Sequence, residues 1–218
     1  MNELLRRRWG CLQWGIVFGV ALLLILLLIP TLNVTAKIGE QSKAIMNCKT
    51  IILSLKQYGK DRQGIYPDSV PAYFEGQRPT ANASFRGLFI EGIITDEQIF
   101  ACPKSVYAPD GVIGAPPDFL DALKAGENHW MMLKGQTDYT AGNIPIVFEN
   151  TIKPEWPLRW NTIQAGRSVR GRVWANGSII VGLNEGSIKL EKVRPDGMVE
   201  VKLPQGFGAS EVLDIEEK

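Results

Sequence analysis

The chain has 218 residues, with 24 Lys and Arg against 23 Asp and Glu for a formal net charge of +1. That balance leaves no electrostatic footprint for a nucleic-acid partner. A single histidine excludes a multi-histidine metal cluster and a two-histidine proton relay. Setting the first thirty residues aside leaves 188, enough for one domain with a core and too few for two.

In chain order, the first predicted element is an apolar run from Leu12 to Ile29 in which Gln13 is the only strongly polar side chain. A helix needs about 20 mainly apolar residues to cross a bilayer, so 11–30 reads as a transmembrane helix. Arg6, Arg7 and Arg8 precede it and orient a basic N-terminus, 1–10, toward the cytoplasm. A cleavable signal ending near Val34-Thr-Ala36 is the rival reading.

Helical periodicity resumes over 31–60. Ala44, Cys48, Ile51, Leu55 and Tyr58 recur at steps of four and three and form one apolar face. Gly59, Gly64 and Pro67 end it. From 61 to 218 the chain reads as one extracytoplasmic α+β domain. A short helix is expected at Phe85–Glu91, capped by Asn82 or Ser84, with one helical turn from Thr95 and a short helix at Asp118–Lys124. Strands are expected at 129–133, 144–148, 169–175 and 178–183, the last two joined by a type I′ turn at Asn176-Gly177. A second hairpin runs 188–193 to 199–203 through Pro195-Asp-Gly197, and the acidic tail is expected to fray.

This order, one long helix and then an antiparallel sheet, predicts an α+β fold with the exposed half of the helix lying on the sheet. Four places carry a resemblance. Cys48, Leu55, Tyr58, Asp61, Gly64, Tyr66 and Pro67 form a Leu-x-x-Tyr, Asp, Gly, Tyr-Pro helix ending. Gly92 to Pro103, Asn143 to Glu149 and Gly171 to Ile179 follow it in order. Together they resemble bacterial type IV pilins and type II secretion pseudopilins, in the pilin-like group with a C-terminal His…Asp-Gly signature.

The resemblance implies a pilin-like fold in the bacterial inner membrane, a processing site at Gly10-Cys11, and partners in the lipid bilayer and in other pilin-like subunits through the N-terminal helix. Gly15 stands where the family has a glutamate, and Gly166 and Asn176 where its signature has His and Asp.

The remaining chemistry reads sparsely. Cys48 and Cys102 are a candidate disulfide, with two buried free thiols as the alternative. His129 reads as an ordinary partly buried residue at a strand start. Asp61 and Asp68 read as loop-capping residues in preference to a calcium site. Trp130, Trp156, Trp160 and Trp174 read as core filling. No catalytic, cofactor-binding or metal-binding residue is expected, and no small-molecule substrate. The function expected is that of a non-catalytic, membrane-anchored structural or interaction protein of a secretion or surface system. The alternative is a tethered enzyme or ligand-binding domain with a pocket in the 107–160 loops.

Overall fold

The stripe of apolar residues at helical spacing becomes the buried face of α1 (Asn2–Lys60), where Ala44, Cys48, Ile51, Ile52, Leu55 and Tyr58 are all 0 % exposed. The computed structural model describes residues 2–74, 76, 78–199 and 212–218, without the side chains of 2–13 and 26–37. Two compact units divide the chain, Met1–Ser42 and Lys43–Lys218. The sheet and all the sites below belong to the second.

The transmembrane helix expected at 11–30 is corrected: among the described residues, no helix is long and apolar enough to cross a membrane. Within that stretch the described side chains are those of 14–25. The large apolar side chains among them, Trp14 and Phe18 included, are exposed. Arg6, Arg7, Arg8, Gly10 and Cys11 lie outside the described side chains. The fold class is accordingly corrected from a membrane-anchored spine helix on a sheet to a five-stranded antiparallel sheet with no such helix among the described residues.

The strands are β1 (Trp130–Leu133), β2 (Pro145–Glu149), β3 (Ser178–Leu183), β4 (Ile188–Lys192) and β5 (Val212–Leu213), in the order β4-β3-β2-β1-β5. The three inner strands are buried at every position, which explains why they read as continuous apolar runs. One face, with Trp130, Met132, Ile146 and Ile180, packs with the α1 stripe and with α2 (Ala81–Ile90). The other, with Met131, Leu133, Phe148, Val181 and Leu183, forms a second core with Leu158 and Trp160. Partners Trp130↔Glu149 and Met131↔Phe148 set the β1–β2 register.

Several local expectations are revised. Thr80, not Asn82 or Ser84, caps α2, its Oγ1 accepting Ala83 N at 3.1 Å. The segment 169–175 is no strand, because β3 is already flanked by β2 and β4; Arg172 makes only a bridge to Asn161. At the Asn176-Gly177 turn only Gly177 has positive φ, so the turn is not type I′. The β3–β4 hairpin turns instead at 184–187, where Leu183 N donates to Ser187 O at 2.9 Å. The helix expected at 118–124 is a set of turns, with Phe119 and Leu123 at positive φ. The strand expected at 199–203 falls almost entirely outside the described residues. Nor does the end of the chain fray: Val212, Leu213 and Ile215 are buried, and Arg170 pairs with Asp214 at 2.7 Å.

At Gly182 β3 packs tightly against α1. A Cβ there would collide with Ile52 Cδ1 and lie 2.9 Å from Cys48 Sγ. Gly182→Ala is expected to destabilise by about 1–3 kcal/mol in chemical denaturation, the cost of overpacking a close contact. Wild-type stability would contradict the packing described.

Candidate functional site

Glu149 ends β2, and its side chain enters the core beneath α1 and α2, where it is 0 % exposed. Groups from four other segments surround it. Trp174 Nε1 donates to Oε1 at 2.9 Å and Ile180 N to Oε2 at 3.1 Å. Cys102 Sγ and His129 Nε2 each lie 3.5 Å from Oε1. Arg172 brings the cation: its Nη2 is 3.9 Å from Oε1 and donates to Cys102 Sγ at 2.9 Å, and its guanidinium lies 4.4 Å over the Trp174 ring.

The His129 tautomer follows from its neighbours. Asn150 Oδ1 accepts Gly171 N at 2.8 Å, which turns its Nδ2 toward His129 O at 3.0 Å and His129 Nδ1 at 2.9 Å. Nδ1 therefore accepts, and Nε2 carries the hydrogen toward Glu149. Burial pushes the His129 pKa down. Burial also pushes the Cys102 thiol well up, with Glu149 adding to the shift and Arg172 opposing it. At neutral pH Cys102 is a thiol and His129 a neutral imidazole.

Cys102, His129 and Glu149 place one S, N and O atom within 4.8 Å of one another. Their types and closeness are consistent with an active or metal-binding site, which corrects the expectation of a non-enzymatic protein. The fit to a metal ion is poor as the residues stand. Nε2 would have to lose its hydrogen, and the cation would compete with Arg172 for Cys102 Sγ.

A second group is built from oxygen alone. Glu97, in a 3-10 turn after its cap Asp96, accepts Gly111 N on Oε1 and Leu123 N on Oε2, the latter at 3.3 Å. Asp110 Oδ1 accepts Val112 N at 2.7 Å, and Glu127 Oε2 accepts Lys124 N at 2.7 Å. Positive φ at Gly111, Leu123 and Gly126 bends the loops so that one carboxylate oxygen from each acid falls within 4.8 Å of the other two. Glu97 and Glu127 are buried and Asp110 is exposed. Burial raises the Glu127 pKa, with Asp110 and Glu97 adding to it. Lys124 opposes that rise but is itself ion-paired to Asp121 at 2.6 Å.

On the other sheet face a cleft of about 220 Å³ lies among Leu133, Phe148, Trp156, Leu158, Trp160 and Val181. Trp160 joins it to the first group by donating Nε1 to Glu149 O at 3.2 Å. Of the tryptophans read as core, Trp130, Trp160 and Trp174 are buried, and Trp156 is half-buried against the second core. His129 is fully buried, not partly. Asp61 is exposed, whereas Asp68 is buried with Oδ1 unpartnered and Oδ2 accepting Gly135 N at 2.6 Å. Cys48 and Cys102 are both buried free thiols.

No protein-family model matches the chain, and neither a curated protein nor a solved structure matches it. The pilin and pseudopilin identity is thereby corrected, since its motifs are short and degenerate and no match supports them. With no membrane-crossing helix among the described residues, the inner-membrane location, the bilayer partnership and the pilin-subunit partnership are corrected too. A purely structural, non-catalytic role gives way to a domain with two clusters of side chains fit to ligate, one fully buried and one with Asp110 exposed.

Sequence reasoning passed over Glu97, Asp110, Glu127, Glu149 and Arg172. Glu149 left one signal, a charged residue closing the apolar run Pro145-Ile-Val-Phe.

Two outcomes follow from these buried charges. Arg172→Met leaves the Glu149 carboxylate without its cation and is expected to cost about 3–5 kcal/mol, largely recovered when Glu149→Gln is added. Equal loss in the single and double variants by denaturant titration would contradict the pairing. For Asp68, burial raises the pKa from 3.8 to about 6. The folded state therefore holds the proton more tightly, so stability is full below about pH 4 and is lost as pH rises toward 6. Asp68→Asn should match wild type at pH 4 and exceed it at pH 8 by up to about 3 kcal/mol. A pH-independent difference would contradict that assignment.

Proposed function

We propose that the protein is a ligand-binding domain whose ligand is a hard divalent cation, Ca²⁺ in the first instance, held where Glu97, Asp110 and Glu127 meet. One observation carries this reading: two of the three carboxylates are buried, all three crowd within 4.8 Å, and no ion pair to any of them is found among the described residues. Crowding three like charges together, two of them buried, is costly unless protons or a cation compensate.

The donor set selects the ion. Oxygen-only ligands suit Ca²⁺ or Mg²⁺, and Ca²⁺ tolerates the irregular geometry of acids drawn from three loops. Its remaining ligands would be backbone carbonyls and water, reached from the exposed Asp110 side. Because the three acids lie at 97, 110 and 127, the ion would reinforce the bonds that already join these loops, such as Ala108 N donating to Gly126 O at 3.1 Å and Leu123 N to Glu97 Oε2 at 3.3 Å. The cation would order the 97–127 region.

Thermal unfolding tests the reading. At Ca²⁺ about a hundred times its dissociation constant, wild type should gain about 2.7 kcal/mol, a rise in Tm of roughly 5–10 °C over the protein in a chelator. Glu127→Gln should abolish that rise. Identical melting with Ca²⁺, with Mg²⁺ and with chelator would overturn the proposal. A rise with Zn²⁺ alone that Cys102→Ser removes would move the metal site to the Cys102–His129–Glu149 group.

A further inference from the structure

Cys48 and Cys102 lie 54 positions apart, one on α1 and one just after the Glu97–Phe100 turn. Asn47 Nδ2, from the residue before Cys48, donates to Ala101 O at 2.9 Å and to Gln98 O at 3.4 Å, so the two segments are in direct contact one residue before each cysteine. Both thiols are buried, at 0 % and 4 % exposure, in one core cluster. They also share a neighbour. Cys102 Sγ lies 3.5 Å from Glu149 Oε1, and the same carboxylate accepts Ile180 N on β3. Two residues along that strand, a Cβ on Gly182 would lie 2.9 Å from Cys48 Sγ. The field of Glu149 reaches both sulfurs.

We propose that Cys48 and Cys102 are a redox pair that closes to a disulfide under oxidising conditions, and that the structure shows its reduced state. The oxidant is a low-molecular-weight disulfide. In the first exchange one thiol of the unfolded or opening chain attacks that disulfide, forming a mixed disulfide on Cys48 and releasing one reduced thiol. In the second, Cys102 gives up its proton and attacks the Cys48 sulfur in the still-open chain. The S–S bond to the small molecule breaks as the Cys48–Cys102 bond forms, and the second reduced thiol leaves carrying that proton. Two protein thiols are oxidised and one small disulfide is reduced to two thiols. Closure precedes burial, since neither sulfur is open to solvent in the folded chain. The bond would join α1 to the loop region that begins at Glu97.

The test is refolding of the reduced, denatured full chain in a glutathione redox buffer, trapping with N-ethylmaleimide, and non-reducing peptide mapping. The expected result is a linked Cys48–Cys102 peptide pair and a chain that melts about 10 °C above the same protein in a phosphine reductant. Cys48→Ser should melt alike in both. Full alkylation of Cys48 and Cys102 in the refolded wild type, or linkage of either to Cys11, would overturn the proposal without touching the cation site. The wild-type map decides the matter even where the serine variant fails to fold.

Discussion

A carboxylate taken into a protein core must be compensated, and the packing of this domain is shaped by how it meets that constraint. Glu149 is answered by Arg172 and by donors from Trp174 and the Ile180 backbone. Asp68 is answered by one backbone N–H and by a pKa raised to about 6. Glu97 and Glu127 receive backbone N–H groups from the chain but no paired cation among the described residues. The reading of a cation site rests on that remainder, and it accounts for why turns at Gly111 and Gly126 bring three acids together when like charges would separate in water.

The sheet makes the two-sided arrangement possible. Alternation along β2 sends Phe148 to the core with the aromatic cleft and Glu149 to the core beneath the helices. Trp160 spans the difference by lining the cleft while donating to the Glu149 carbonyl. Cys102, His129, Trp174 and Arg172 converge on one carboxylate because β1 pairs directly with β2 and the 171–174 segment crosses beside them. The guanidinium already fills the role a metal would play there. No such cation is paired with the Glu97 group among the described residues, and that distinguishes it.

The elements legible in the sequence were those with a strong local period. The Ala44 to Tyr58 stripe and the runs that became β1, β2 and β3 depend on burial, which apolar spacing reports directly. The apolar run at 11–30 is an equally plain signal, but among the described residues no helix is long and apolar enough to cross a membrane, and the short motifs read as pilin-like find no matching family. The 169–175 run failed because strand pattern says nothing of whether a sheet edge is free. The candidate sites were illegible for a different reason. Glu97, Asp110 and Glu127 stand 13 and 17 positions apart with no motif spacing, and only the turns between them set their distances. Arg172 gave no sign of burial, since its partners come from β2 and from the segment after Phe100.

The most direct test of the central claim is metal stoichiometry by equilibrium dialysis against Ca²⁺ followed by elemental analysis. The account predicts about one Ca²⁺ per chain at near-saturating, low-millimolar concentration, the weak range usual for loop-built sites. It predicts essentially none when Glu97 and Glu127 are both changed to Gln. No bound Ca²⁺ in the folded wild-type protein, or the same amount in that double variant, would contradict it.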